Sequence, residues 1–402
     1  MSQAPGWGPQ PALQSDASSF RPTGKNPRRF QGPTPLPGPG GTAYSAREAR
    51  QRHFPQPIPT MHPAVTKHPP GGLPKPTAHQ TRGKPAGRTP GAEEAVADDI
   101  TPAPLLSIGL GVRNGEPYLS EMIDSILAQT FTDFELIISD NCSTDNTPAV
   151  CAAYAARDKR VRYLPLESNI GAVPNHNRTV ALARGKFFKY CAHDDIMEPT
   201  FLEKCLRALE EAPDAVVAYP RTMFIDDDGA PIREDTISLA SPPGPAHQRL
   251  QIFFPRISYI NPLYGVIRAD VLRQTHLERS FLKSDQVLIA ELLMRGRFVE
   301  IPEILFYRRL HKRGSMQANP TKAALRRFYD PNNRIEGFTL PVKLRLTLEY
   351  LRSSAMIPPR WRDRPRCVAV TLRKHTLPTL LLLADVALRG HKKTRTRLQT
   401  AR

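Results

Sequence analysis

Between residues 105 and 195, short apolar runs alternate with amphipathic stretches at a spacing of about 25–30 residues, and each run ends in a polar cluster. The run 105–112 stops at Arg113-Asn114-Gly115-Glu116, after which Leu119, Met122, Ile123, Ile126 and Leu127 recur at helical spacing. A second strand over 135–138 is stopped by Ser139-Asp140-Asn141-Cys142-Ser143-Thr144-Asp145, and a second helix follows over 147–156. A third strand at 161–164, a helix over 175–183 closed by Gly185, and a fourth strand at 187–191 lead into His193-Asp194-Asp195. Such alternation predicts βαβ units, hence an α/β fold with a mostly parallel sheet and helices on both faces. Sheets of this kind bind ligands outside the carboxyl ends of their strands. The polar clusters all fall there.

The second half is less regular. Helices are predicted over 199–211 and 285–295, the latter with Val287, Leu288, Leu292 and Leu293 on its apolar side. Strands are predicted at 215–219, 298–301 and 304–307, with a turn at 226–229, a loop at 241–245 and an interrupted apolar stretch at 260–267. No internal repeat is visible.

Composition divides the chain into three. Residues 1–100 hold 19 of the 42 prolines and 12 of the 24 glycines, with few aliphatic runs. Such a segment buries too little apolar surface to offset the entropy of ordering, so it is expected to be a disordered basic tail. Lys and Arg outnumber Asp and Glu by 12 to 6 in 1–100 and by 19 to 5 in 321–402, whereas 101–320 carries 25 against 27. The basicity therefore belongs to the flanks, which excludes a wholly nucleic-acid-coating protein. The expected domains are the tail 1–100, a catalytic domain 101–318 and a basic helical region with a loose end, 319–402. Five scattered cysteines without a C-x-x-C pair point to a reducing compartment. No signal-peptide pattern and no apolar run of spanning length is seen, so a cytoplasmic location is expected.

Asp140 closes a buried strand, as turn-forming residues commonly do, or else presents an acceptor at a strand end. The adjacent carboxylates Asp194 and Asp195 repel unless a cation or a donor separates them. A solvated turn before the helix at 199–211 is the other account of the pair. Taken together, the order and spacing are more specific. Ser107-Ile108-Gly109-Leu110-Gly111-Val112-Arg113-Asn114-Gly115-Glu116-Pro117-Tyr118-Leu119 is followed by Ser125–Phe131, Glu135–Thr147, Asn169-Ile170-Gly171, Asn177 and Ala183-Arg184-Gly185-Lys186 before the Asp pair. This pattern resembles the family 2 glycosyltransferases of GT-A (Rossmann-like) fold, closely from about 104 to 230 and more loosely to about 315.

The resemblance implies a nucleotide-sugar site at Arg113, Asn114, Glu116, Asp140, Asn141, Gly171, Asn177, Asp194 and His311. Asp140 would accept from the N–H of a pyrimidine base, which favours UDP or dTDP donors. Asp194 would face the ribose or the metal, and Asp195 would coordinate Mg²⁺ or Mn²⁺ on the diphosphate. Asp285 would be the general base of an inverting transfer, although Ser284 and Asp285 also suit a helix cap. Ala192 stands where many relatives carry a further Asp, which thins the acidic motif. No Gln-x-x-Arg-Trp motif occurs, so a single transfer per encounter is expected rather than processive synthesis. The expected acceptor is a glycan or a lipid-linked glycan in envelope or extracellular polysaccharide assembly. The alternative is a catalytically silent relative serving as a nucleotide-sugar-binding scaffold.

The C-terminal region contains two helix-like stretches, 342–352 and 367–388, too short or too interrupted to span a bilayer. A basic helix with an apolar face lies on anionic membrane or caps a domain. Both accounts are kept for 339–402, the first implying peripheral attachment at the inner face of the plasma membrane. Few aromatics and no recognised motif argue against nucleic acid as a partner.

Overall fold

A computed structural model describes residues 102–257, 261–314, 318–329, 331, 340–382 and 385. The expected disordered tail, and the chain end beyond those positions, lie outside the described residues. All described residues fall in the compact unit Glu94–Arg402.

The predicted alternation is present as β1 (Leu106–Val112), α1 (Leu119–Leu127), β2 (Phe134–Asp140), α2 (Thr147–Arg157), β3 (Val161–Pro165), α3 (Ala172–Leu182) and β4 (Phe187–Cys191). These four strands lie parallel in the order β3-β2-β1-β4. Every residue of β2 is buried, as a strand covered on both faces requires. Gly109 and Gly111 let α3 lie directly on β1. A Cβ at Gly109 would stand 2.3 Å from Thr179 Oγ1, and one at Gly111 2.5 Å from His176 Cδ2. Glu135 ties the layers together. It accepts from Ser107 Oγ at 2.7 Å, Arg162 at 2.6 Å and the Arg184 backbone N–H at 3.0 Å.

Beyond β4 the sheet becomes mixed. β5 (Ile196–Met197), α4 (Phe201–Glu211), β6 (Ala215–Ile225), β7 (Pro231–Glu234), α5 (Ala246–Phe253), β8 (Val266–Arg268), α6 (Ala269–Leu272), α7 (Ser284–Arg295) and β9 (Arg297–Arg309) follow. The strand order continues β4-β8-β6-β9-β5, with β6 and β9 parallel to each other and β7 beside β6. Pro302 splits the predicted strand pair at 298–301 and 304–307, but the structure has one strand there. Its register against β6 jumps from Ile301 to Ile304, so the proline is absorbed in a bulge. β9 thereby carries its last residues back to the end of β4.

Two apolar clusters lie one on each face of the sheet. Leu119, Met122, Ile123 and Ile126 of α1, Cys151 of α2 and the buried side of α4 form one. The other takes Val180 from α3 with α5 and α7, and extends into the C-terminal helices. After α8 (Lys322–Tyr329), α9 (Val342–Met356) and α10 (Asp363–Thr371) pack on α5 and α7. This arrangement explains why α7 is buried all round, with Ile289, Ala290 and Met294 covered besides its predicted apolar side. Tyr350 of α9 is 1 % exposed and meets Phe253, Phe254 and His375 at ring-centroid distances of 6.0, 5.4 and 4.8 Å. The inner face of the C-terminal region is a cap on the core.

Candidate active site

The loops after β1 and β2 are stitched to each other. Asn114, in left-handed conformation at φ 56°, donates its backbone N–H to Ser143 Oγ at 2.9 Å and accepts from the Thr144 N–H at 2.9 Å. The Gly115 N–H donates to Thr147 Oγ1 at 2.8 Å, and the Glu116 N–H to Asp145 Oδ2 at 3.4 Å. Arg113 is exposed beside them. Asp140 is buried at the end of β2. Its Oδ1 accepts from the Ser143 N–H at 3.0 Å and the Ser143 hydroxyl at 2.5 Å, and its Oδ2 from Tyr163 at 3.0 Å. An ionised carboxylate has about four acceptor positions, so these three bonds leave one for a ligand N–H.

Asn141 and Gly171 serve the loop itself. Asn141 donates to Asn169 Oδ1 at 2.9 Å and accepts from the Ile170 N–H at 2.8 Å. Gly171 has φ 95°, and a Cβ there would stand 2.7 Å from the Tyr329 carbonyl oxygen, so α8 ends directly above it. Asn177 donates to the Glu278 carbonyl at 2.8 Å, while its own Oδ1 is buried without a partner.

The acidic pair is met by the end of β9. His311 Nε2 stands 2.8 Å from Asp194 Oδ2, and Asp195 Oδ1 accepts from the Arg309 N–H at 3.1 Å. Arg309 holds the junction together. Its guanidinium donates to the carbonyls of Asp194, Asp226 and Asp227 and to Glu121, and lies 4.5 Å over the Tyr118 ring. The two carboxyls are driven apart in behaviour. Burial works against ionisation of Asp194, but the bond with His311 and the nearby His193 hold it below the usual carboxylate range. Burial, reinforced by the Asp194 charge, raises Asp195. Asp194 is thus the anionic, partly exposed member, and Asp195 sits behind it.

These residues fit a divalent cation that arrives with a diphosphate. Among the described residues no group of three or more His, Cys, Asp or Glu forms a ready metal cage. Mg²⁺ and its like commonly take one or two protein carboxylates and complete their shell with phosphate oxygens and water. Asp194, its side chain 16 % exposed, meets His311 Nε2 through Oδ2, and the far ring nitrogen of His311 is buried with no partner among the described residues.

Asp285 lies in the first turn of α7. The helix cap is Lys283, at φ 70° and with no side-chain cap bond, so neither Ser284 nor Asp285 occupies that position. Among the described residues Asp285 Oδ1 accepts the adjacent Gln286 N–H, at 2.9 Å. Burial and the neighbouring Glu278 carboxylate push Asp285 up to about 6. Arg308 stands among these acids, its charged form favoured against burial by Tyr264, Asp195, Asp194 and Asp285 together. It donates to Asn261 Oδ1 at 2.7 Å. The charges of Asp194, Asp195 and Asp285 thus act on one guanidinium, and His311 joins them through Asp194. Arg308 and Glu278 escaped the sequence analysis. Arg308 had a signal, three residues before His311 in one polar run. Glu278 had none.

Residues 107–275 match the family described as glycosyl transferase family 2. Among curated proteins, an uncharacterized glycosyltransferase of Methanocaldococcus jannaschii is 34 % identical over 133 residues, 33 % of this chain and 46 % of its own length. Glycosyltransferase GlyG of Streptococcus pneumoniae is 31 % identical over 31 % of this chain and 42 % of its own. The putative teichuronic acid biosynthesis glycosyltransferase TuaG of Bacillus subtilis is 30 % identical over 32 % and 51 %. The chain therefore spans about half, or less, of these relatives. Among solved structures, S. aureus TarS 1–349 in complex with UDP-GlcNAc is similar at 17 % identity and a TM-score of 0.49, over 67 % of this chain and 72 % of that one. The match to glycosyl transferase family 2 covers the residues that build the parallel half of the sheet and its strand-end carboxylates.

Proposed function

We propose that this chain is an inverting glycosyltransferase that moves a single sugar from a nucleoside-diphosphate sugar to an acceptor hydroxyl. The observation that carries this is that Asp285, a carboxyl pushed up to about 6, acts on the same Arg308 charge as the Asp194–Asp195 pair, with His311 bonded to Asp194. Displacement at an anomeric carbon needs a base for the acceptor and neutralisation for the departing diphosphate. Asp285 takes the hydroxyl proton as the acceptor oxygen bonds to the anomeric carbon. The bond to the diphosphate oxygen breaks, its electron pair leaving with the diphosphate, and configuration inverts because attack and departure use opposite faces. Arg308 supplies a positive charge near both Asp285 and the acidic pair.

Asp194 and His311 would hold Mg²⁺ or Mn²⁺, with Asp195 behind them. A divalent ion bound there supplies charge neutralisation for the diphosphate. The remaining acceptor position of Asp140 suits the N–H of uracil or thymine, which favours UDP and dTDP sugars. The similarity to TuaG supports a role in envelope glycan assembly. The test is a panel of UDP-, dTDP- and GDP-sugars scored for transfer. Within it, Asp194→Ala is expected to weaken UDP binding at least tenfold with Mn²⁺ and hardly at all in EDTA, whereas Asp195→Asn affects folding as much as binding. Equal UDP affinity of Asp194→Ala and parent with Mn²⁺ would reject the metal role.

The outer face of the C-terminal region supports contact with an anionic membrane surface. Trp361 is 70 % and Leu381 71 % exposed, with Leu377 and Leu380 also exposed, among Arg360, Arg362, Arg366, Arg373 and Lys374. Among the described residues no helix is long and apolar enough to cross a membrane. Each basic residue near an anionic surface contributes about 1 kcal/mol, screened over about 8 Å at physiological salt. The full chain is therefore expected to sediment with vesicles containing anionic lipid at low salt and to be released at high salt. Failure to sediment at low salt would reject this partner.

A further inference from the structure

We infer that Glu349, on the C-terminal cap, is a positioning residue for Asp285: it holds the segment between α6 and α7 from outside, so the cap belongs to the catalytic apparatus. This rests on the transferase assignment above. The segment 273–283 runs without regular structure into the first turn of α7, where Asp285 lies. It contains two non-glycine residues in left-handed conformation, Leu277 at φ 54° and Lys283 at φ 70°. L-residues enter that region at a cost, so such a segment persists only where its surroundings over-determine it.

Two residues of α9, one turn apart, supply that restraint. Glu349 is 5 % exposed and pairs with Arg279 in the middle of the segment. Arg345 pairs with Glu349 at 2.9 Å and lies 5.2 Å over the Phe281 ring. Ser353, on the next turn of α9, donates to Glu291 Oε1 at 2.6 Å. Glu291 in turn receives the His276 backbone N–H at 2.7 Å and meets the His276 ring at 2.8 Å. On its inner side the segment is fixed to α3, through His176 against Glu278 at 3.3 Å and Asn177 on the Glu278 carbonyl at 2.8 Å. The segment is therefore clamped between the donor-side helix and the cap. Its outer anchor is an ion pair whose removal leaves the half-buried Arg279 guanidinium without that partner, in the segment that leads to Asp285.

The test uses the full chain. Glu349→Gln is expected to lower kcat roughly 10–100-fold, the scale of an ångström-sized misplacement, with the donor KM changed less than about threefold. Because Glu349 acts through Asp285, Glu349→Gln in an Asp285→Asn background is expected to cause no further loss. Ile357→Val, which loosens the cap core elsewhere, is expected to lower Tm and leave kcat unchanged. Should Glu349→Gln fail to fold, Arg279→Lys keeps the charge and loses the fork, and the same kcat loss and non-additivity are expected. Amide hydrogen exchange over 276–285 is expected to quicken in either variant. Parent-like turnover, or an equal loss with and without the Asp285 carboxylate, would overturn the inference. Should the parent transfer no sugar from any donor, the transferase assignment fails, and unchanged exchange at 276–285 would separately overturn the clamp.

Discussion

Asp285→Asn is expected to lower kcat by roughly 10²–10⁴ while leaving nucleoside diphosphate affinity within a few-fold, the usual consequence of removing a positioned general base. Asp285 is suited to that role because burial and Glu278 push it up to about 6. A base with that affinity is ionised at neutral pH and still binds a proton usefully. Activity of the parent should therefore fall as pH drops through about 6. The sign for stability is opposite. The folded carboxyl holds its proton more tightly than the unfolded chain does, so Asp285 is destabilising above about 6 and that penalty is relieved as pH falls towards 3.8. Asp285→Asn should then melt at the same temperature as the parent or higher at pH 7.5. The measurements are initial rates against pH, titration with UDP, and thermal melts of both proteins. A variant that loses activity only in proportion to a lowered Tm would make Asp285 a structural residue and nothing more.

Truncation after residue 338 is expected to abolish cooperative folding of the catalytic domain, or to lower its Tm by more than about 10 °C. The cut removes Leu346, Tyr350, Ile357, Cys367 and Val370 from the cluster that covers α5 and α7. Burial of one large apolar side chain contributes about 1.5–3 kcal/mol, and a whole domain is stable by about 5–15 kcal/mol. Five such losses compare with the total. The cut also takes Ser353 from Glu291 and Glu349 from Arg279. Soluble yield and melting curves of the two chains decide it. A truncated chain melting within a few degrees of the parent would mean that the C-terminal helices merely rest on the surface.

The sequence by itself determined the parallel half of the sheet and the acids at its strand ends. The spacing of Leu119, Met122, Ile123 and Ile126, the apolar runs of β1, β2 and β4, and the stops at Asp140 and Asp194 are short-range features. A strand buried on both faces, and a helix buried on one, each leave that imprint within a dozen residues. Asp285 and His311 were reached through the resemblance to a family and not through periodicity. Only the tertiary structure decided their relations. It put His311 on Asp194 rather than on Asp195, with Arg309 as the link, because β9 absorbs Pro302 in a bulge and returns to the end of β4. It set Arg308 where the charges of Asp194, Asp195 and Asp285 all act on it, and it turned the basic C-terminal region inwards as a cap that pairs with Arg279 in the segment leading to Asp285. The Arg279–Glu349 and Asp194–His311 contacts join residues 70 and 117 positions apart. No local periodicity encodes them, because they depend on how separate elements stack and not on which face each element must bury.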